Sequence, residues 1–172
     1  MGGYTYGVGS ANASCSLVIA KTFATDPGTG TLAQIIDHNG TGNKYDFRTN
    51  GGNVFVSLNS ANTALGESKS IQTNLTYIFA INVIAKGDSD YTFDFFINGD
   101  KVYTTDFNDM NEVRFWSGAS DETFLYNGAL TDSEIAALAA AKTANIASVP
   151  EPTALALIAL GVAGLALKRK VA

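Results

Sequence analysis

The last 24 residues constrain this chain more than any other stretch. Val149-Pro-Glu-Pro152 leads into Thr153–Leu167, fifteen residues with no charge and nothing more polar than Thr153, and Lys168-Arg-Lys170 follows. As a helix the apolar run measures about 22 Å at roughly 1.5 Å per residue. That is short of the ~20 residues that cross a hydrocarbon core of about 30 Å. Val171 and Ala172, the aliphatic stems of the basic residues and Val149–Pro152 cover the deficit. Length alone fits a buried C-terminal helix equally well. The double proline before the run and the cationic stop after it favour a transmembrane helix over 153–167, with Lys168, Arg169 and Lys170 kept in the cytoplasm.

The order of these parts resembles the PEP-CTERM sorting signal of Gram-negative bacteria, with Val149, Pro150, Glu151 and Pro152 as the motif, 153–167 as the hydrophobic segment and Lys168–Lys170 as the basic end. The resemblance covers about a seventh of the chain. It implies recognition and cleavage by an exosortase, a membrane-embedded cysteine-type transpeptidase. It further implies a single-pass precursor in the inner membrane with its C-terminus inside, then delivery to the cell surface or extracellular matrix. Export needs a signal peptide, yet Met1-Gly-Gly-Tyr-Thr-Tyr-Gly7 has neither a basic nor an apolar region of that kind. The expectation is a reading frame that begins upstream of Met1.

The remainder suits one domain of ordinary size, 4–142, joined by a linker at 143–148 to the sorting tail at 149–172. Residues 1–148 carry eight Lys/Arg against fifteen Asp/Glu, so −7, which argues against nucleic acid as a partner. Seventeen glycines, with frequent Asn and Thr, suit short strands and many turns. Cys15 is the only cysteine and sits in an apolar stretch, so a buried, inert thiol is expected.

From residue 16 to 127 the pattern is strand and turn. Strands are predicted over Ser16–Ala24, Leu32–Asp37, Lys44–Thr49, Val54–Asn59, Thr76–Ala85, Thr92–Ile97, Val102–Phe107, Val113–Ser117 and Glu122–Asn127. Residues 60–75 are polar and show no period, which predicts a loop. In Lys44–Thr49, Tyr45 and Phe47 alternate with Lys44, Asp46 and Arg48, giving a hairpin with one solvated side. Thr76–Ala85 is apolar on both faces and is expected at the centre of a sheet. Asn98-Gly99 is a type I′ hairpin signal. Thr131-Asp-Ser-Glu134 is a capping box that opens a short helix with Ile135 and Leu138 on its apolar side. Roughly nine strands with turns every eight to twelve residues predict an all-β antiparallel sandwich, closed by that helix.

Phe93–Val102, around Asn98-Gly99, is similar to a hairpin of laminin-G-like, concanavalin A-type jelly rolls. Phe124–Leu138 is similar to that family's final strand and closing helix. Some relatives are glucanases that place two glutamates on one strand. Here Glu67, Glu112, Glu122, Glu134 and Glu151 do not alternate within any strand, and His38, the only histidine, lies in a Gly/Asn turn. A glycoside hydrolase is therefore a distant alternative, and no enzyme is expected. Asp88, Asp90 and Asp94 are candidate ligands for a structural calcium, since the resemblance includes calcium-binding members; the other reading is that Asp serves the turns. No other cofactor is expected. Trp116 takes the opposite parity to Val113 and Phe115, which makes it a candidate for stacking on a sugar. A core position for Trp116 is the commoner reading. The expected function is a non-catalytic surface or matrix protein, with a lectin-like module for extracellular polysaccharide as the alternative.

Overall fold

Alternation within short strands, more than overall apolarity, sets the architecture. The computed structural model describes residues 4–8, 13–37, 43–88, 90–108, 113–118 and 120–141. The linker 143–148, the motif Val149–Pro152, the apolar run 153–167 and the cations Lys168, Arg169 and Lys170 lie outside the described residues, as do His38 and Glu112. The described elements are β1 (Tyr4–Val8), β2 (Cys15–Thr22), β3 (Gly30–Asp37), β4 (Lys44–Asn50), β5 (Asn53–Leu58), β6 (Leu65–Ser70), β7 (Thr76–Gly87), β8 (Asp90–Ile97), β9 (Asp100–Phe107), β10 (Val113–Ser117), β11 (Glu122–Asn127) and α1 (Asp132–Ala140). The strands make two antiparallel sheets, ordered β1-β10-β3-β4-β5-β6 and β11-β2-β7-β8-β9.

The inward residues of both sheets share one core. Tyr45 and Phe47 of β4 meet Phe79 and Phe95 of the other sheet, with Phe47 and Phe79 centroids 5.2 Å apart and Phe47–Phe95 at 5.8 Å, edge to face. This is a jelly-roll-like sandwich. A second, smaller core lies behind the five-stranded sheet. There Val18, Ala20, Ile78, Ala80 and Phe96 pack against Leu130 and against Ile135, Leu138 and Ala139 of α1. β7 is thus covered on both faces, as its two-sided apolar pattern predicts. The capping box forms: the Glu134 amide donates to Thr131 Oγ1 at 3.2 Å, and the Thr131 amide donates to Glu134 Oε2 at 2.7 Å.

A polar clasp holds the approach to α1 on this face. Leu130 N–H donates to Ser16 Oγ at 2.8 Å, Ser16 Oγ donates to Asn82 Oδ1 at 2.6 Å, and Asn82 Nδ2 donates to the Leu130 carbonyl at 2.7 Å. All three links are buried, so each satisfies a group that would otherwise lose its water without replacement. The β8–β9 turn comes up beside the helix. Asn98 and Gly99 both have positive φ, and a Cβ on Gly99 would sit 3.1 Å from Ala136 Cα.

Four expectations are corrected. Residues 60–75 contain a strand, β6, which has only Leu65 as an apolar side chain and lies at a sheet edge, so it carries no period to read. The strand count is eleven among the described residues, because β1 also pairs with β10. The strand predicted over Ser16–Ala24 ends at Thr22, and Phe23 turns into the core. Asp46, expected on a solvated side, is wholly buried because the segment after β5 folds over it.

Candidate functional site

The outer face of the six-stranded sheet is the surface on which polar, aromatic and charged side chains gather. Register across the sheet sets one row: Trp116 of β10 lies opposite Gln34 of β3, Gln34 opposite Asp46 of β4, and Asp46 opposite Ser57 of β5. One step along the strands, Arg114 precedes Trp116 by two residues and Arg48 follows Asp46 by two, so both share this face.

Asp46 is the buried anchor of the row. It accepts hydrogen bonds from Ser57 Oγ at 2.5 Å, from the Ser60 amide at 3.3 Å and hydroxyl at 3.4 Å, and from Gln34 Nε2 at 3.4 Å. Those bonds hold Ser60 in the left-handed region at φ 59, directly after Asn59 at φ 52. Arg48 fixes the same segment: its Nε donates to Asn62 Oδ1 at 2.8 Å and its Nη1 to Thr31 Oγ1 at 3.2 Å, both neutral acceptors.

Trp116 is half-buried on this outer face, while its neighbour Phe115 is fully buried between the sheets. The core reading of Trp116 is thereby corrected, and strand parity is the reason. Its indole lies across Gly118, where any Cβ would overlap the ring. The glycine leaves room for the ring to lie flat along the strand.

The calcium candidates are not brought together as a site. Asp94 lies on the opposite outer face, receiving Lys101 Nζ at 2.9 Å and Thr104 Oγ1 at 2.7 Å. The hydrogen bond to Asp94 also raises the Lys101 pKa above the usual lysine value. Asp88 occupies the exposed β7–β8 turn with φ 51, and Asp90 opens β8. Among the described residues no three His, Cys, Asp or Glu side chains converge as metal ligands. Cys15 is buried, and desolvation pushes its thiol pKa up to about 12.

Sequence reasoning singles out Trp116 but misses Arg48, Arg114 and Gln34 beside it. The available signal is that the only tryptophan and the only two arginines of residues 1–148 all fall at outward parity in their strands.

Residues 148–170 match the family description of the PEP-CTERM protein-sorting motif. No curated protein matches the chain in sequence. Among solved structures, the chain is similar to Trypanosoma rangeli sialidase in complex with 2,3-difluoro-KDN, at TM-score 0.55 and 15% identity over 78% of this chain. The match spans only 24% of the sialidase, so this chain corresponds to about a quarter of it. The CBM40 of the Ruminococcus gnavus IT-sialidase, bound to α2,3-sialyllactose, aligns over 75% of this chain and 84% of its own, at TM-score 0.46 and 14% identity. Human galectin-16 aligns over 73% and 95%, at TM-score 0.47 and 13% identity. At 15% identity the likeness to the sialidase speaks to the fold alone, and the two sheets themselves define the body as a β-sandwich. A sorting motif follows that sandwich at the C-terminal end. Among the described residues no helix is long and apolar enough to cross a membrane.

Proposed function

We propose that this chain is an exported, non-catalytic surface or extracellular-matrix protein whose tail is recognised and cut by an exosortase. The observation that carries the reading is the sorting-motif match over 148–170. In this account Pro150 and Pro152 keep the cleavage segment extended, 153–167 spans the inner membrane, and Lys168, Arg169 and Lys170 hold the cytoplasmic end. The laminin-G-like sandwich is the delivered cargo. Glu67, Glu122 and Glu134 sit on three different elements, β6, β11 and α1, so no two of them share a strand. In cells that have the cognate exosortase, protease added outside should reach the body. A body shielded from external protease in such cells would remove this reading.

Trp116, half-buried on the outer sheet face, supports a second reading, in which the delivered body binds extracellular polysaccharide. Half-buried aromatics with polar neighbours are a usual lining for such sites. The test is co-sedimentation with insoluble polysaccharides. Trp116→Ala should stay in the supernatant where the native chain sediments, and equal sedimentation of the two would end the reading.

A further inference from the structure

Charge on this protein is unevenly placed. Residues 1–148 sum to −7, yet β4 and β10 bring Lys44, Arg48 and Arg114 to the outer face of the six-stranded sheet. Asp46 is the carboxylate whose placement on that face is described, wholly buried and hydrogen-bonded by the neutral Ser57, Ser60 and Gln34, against the three cations. The opposite outer face is different. There Asp94 and Asp106 pair with Lys101 and Lys86, and α1 adds Asp132 and Glu134.

From this distribution we infer that the outer face of the six-stranded sheet binds an acidic polysaccharide, one whose sugar rings carry carboxylates. The inference rests on the carbohydrate-binding reading of Trp116 and narrows it to a substrate class. Trp116 offers an indole for the apolar face of a pyranose ring, and the Gly118 beneath lets it lie flat. Arg114 is about 7 Å along the same strand from Trp116; Arg48 is about 10 Å across two strands and about 7 Å along them. An extended chain of a few sugar residues laid across β10, β3 and β4 therefore passes the stacking group and the positions of both arginines.

Arginine suits this task. Its planar fork pairs with a carboxylate through two parallel hydrogen bonds and keeps its charge at any working pH. The hydrogen bonds of Arg48 go to the neutral Asn62 and Thr31, which orient the guanidinium without cancelling its charge. Elsewhere the acidic body repels a polyanion, so the same charge distribution that attracts it here sets its docking face.

The test uses the full 172-residue chain in detergent micelles. Trp116 is the only tryptophan, so fluorescence reports this face alone. Oligogalacturonate is titrated at low and high salt, with its methyl-esterified form and a cello-oligosaccharide as neutral probes. The expected result is a fluorescence change with oligogalacturonate that salt weakens, and little response to either neutral probe. Arg48→Gln and Arg114→Gln should each weaken binding about tenfold, whereas Lys86→Gln, on the other sheet, should leave it unchanged. If either arginine variant misfolds, the comparison of acidic with esterified probe on the native chain still decides. Equal binding of neutral and acidic probes, insensitive to salt and to the arginines, would overturn the acidic preference and leave the carbohydrate reading standing. Silence with every probe would overturn both.

Discussion

Phe115 and Trp116 are neighbours in sequence on opposite faces of one strand, and truncating each should have a different consequence. Phe115 is fully buried in the shared core, surrounded by side chains from both sheets. Phe115→Ala removes its transfer free energy and leaves a cavity the two sheets cannot close, a loss of about 3–5 kcal/mol. Trp116 is half-buried and faces out, so Trp116→Ala loses part of its apolar contact and water fills the space. That puts its loss at about 1–2 kcal/mol. The assay is urea unfolding of a chain ending at Ser148, followed by far-ultraviolet circular dichroism because one variant lacks the fluorophore. With a denaturant slope of about 2 kcal/mol per molar, Phe115→Ala should lower the midpoint by about 2 M and Trp116→Ala by under about 1 M. Equal shifts, or a larger one for Trp116, would refute the assignment of faces and with it the candidate site.

Gly66 has φ +71 and lies against the Val102 carbonyl of the facing sheet, where a Cβ would overlap the oxygen; Gly66→Ala should destabilise by more than about 2 kcal/mol in the same assay. Asn82→Ala opens the buried clasp to Ser16 and Leu130 and should lose about 2–4 kcal/mol, with Ser16→Ala less severe because its hydroxyl is the smaller group. The Cys15 thiol, raised from 9.0 to about 12, should resist alkylation in the native protein and react on unfolding. Because the folded value is the higher one, its contribution to stability is whole below pH 9.0 and is lost as pH rises towards about 12. Prompt native-state alkylation at neutral pH would contradict its burial.

Where a strand carries its own period, the sequence was legible. Tyr45 and Phe47 alternate with polar residues in β4, β7 is apolar on both sides, Asn98-Gly99 marks its turn, and Thr131 with Glu134 marks the helix start. β6 was not, since Gly66, Glu67 and Lys69 belong there for the sake of edge pairing with β5 and close approach to β9. The site was half legible for a related reason. Parity within β10 puts Trp116 outward, but only register across β10, β3 and β4 brings residues 116, 34 and 46 into a row. Register of that kind depends on pairings over long sequence separations, which local pattern does not encode. The burial of Asp46 depends on Ser60, fourteen residues away and held at positive φ, and Asp46 is what holds it there.

Whether the tail acts as a sorting signal is read from the fate of the C-terminus. An epitope tag placed after Ala172 is followed by immunoblot in two hosts, one with the cognate exosortase and one without, alongside a variant with Pro150, Glu151 and Pro152 replaced by alanines. The native chain should lose its tag only where the exosortase is present, and the variant should stay membrane-bound and uncut in both. Retention of the tag by the native chain in both hosts would contradict a sorting role and leave the tail as a membrane anchor alone.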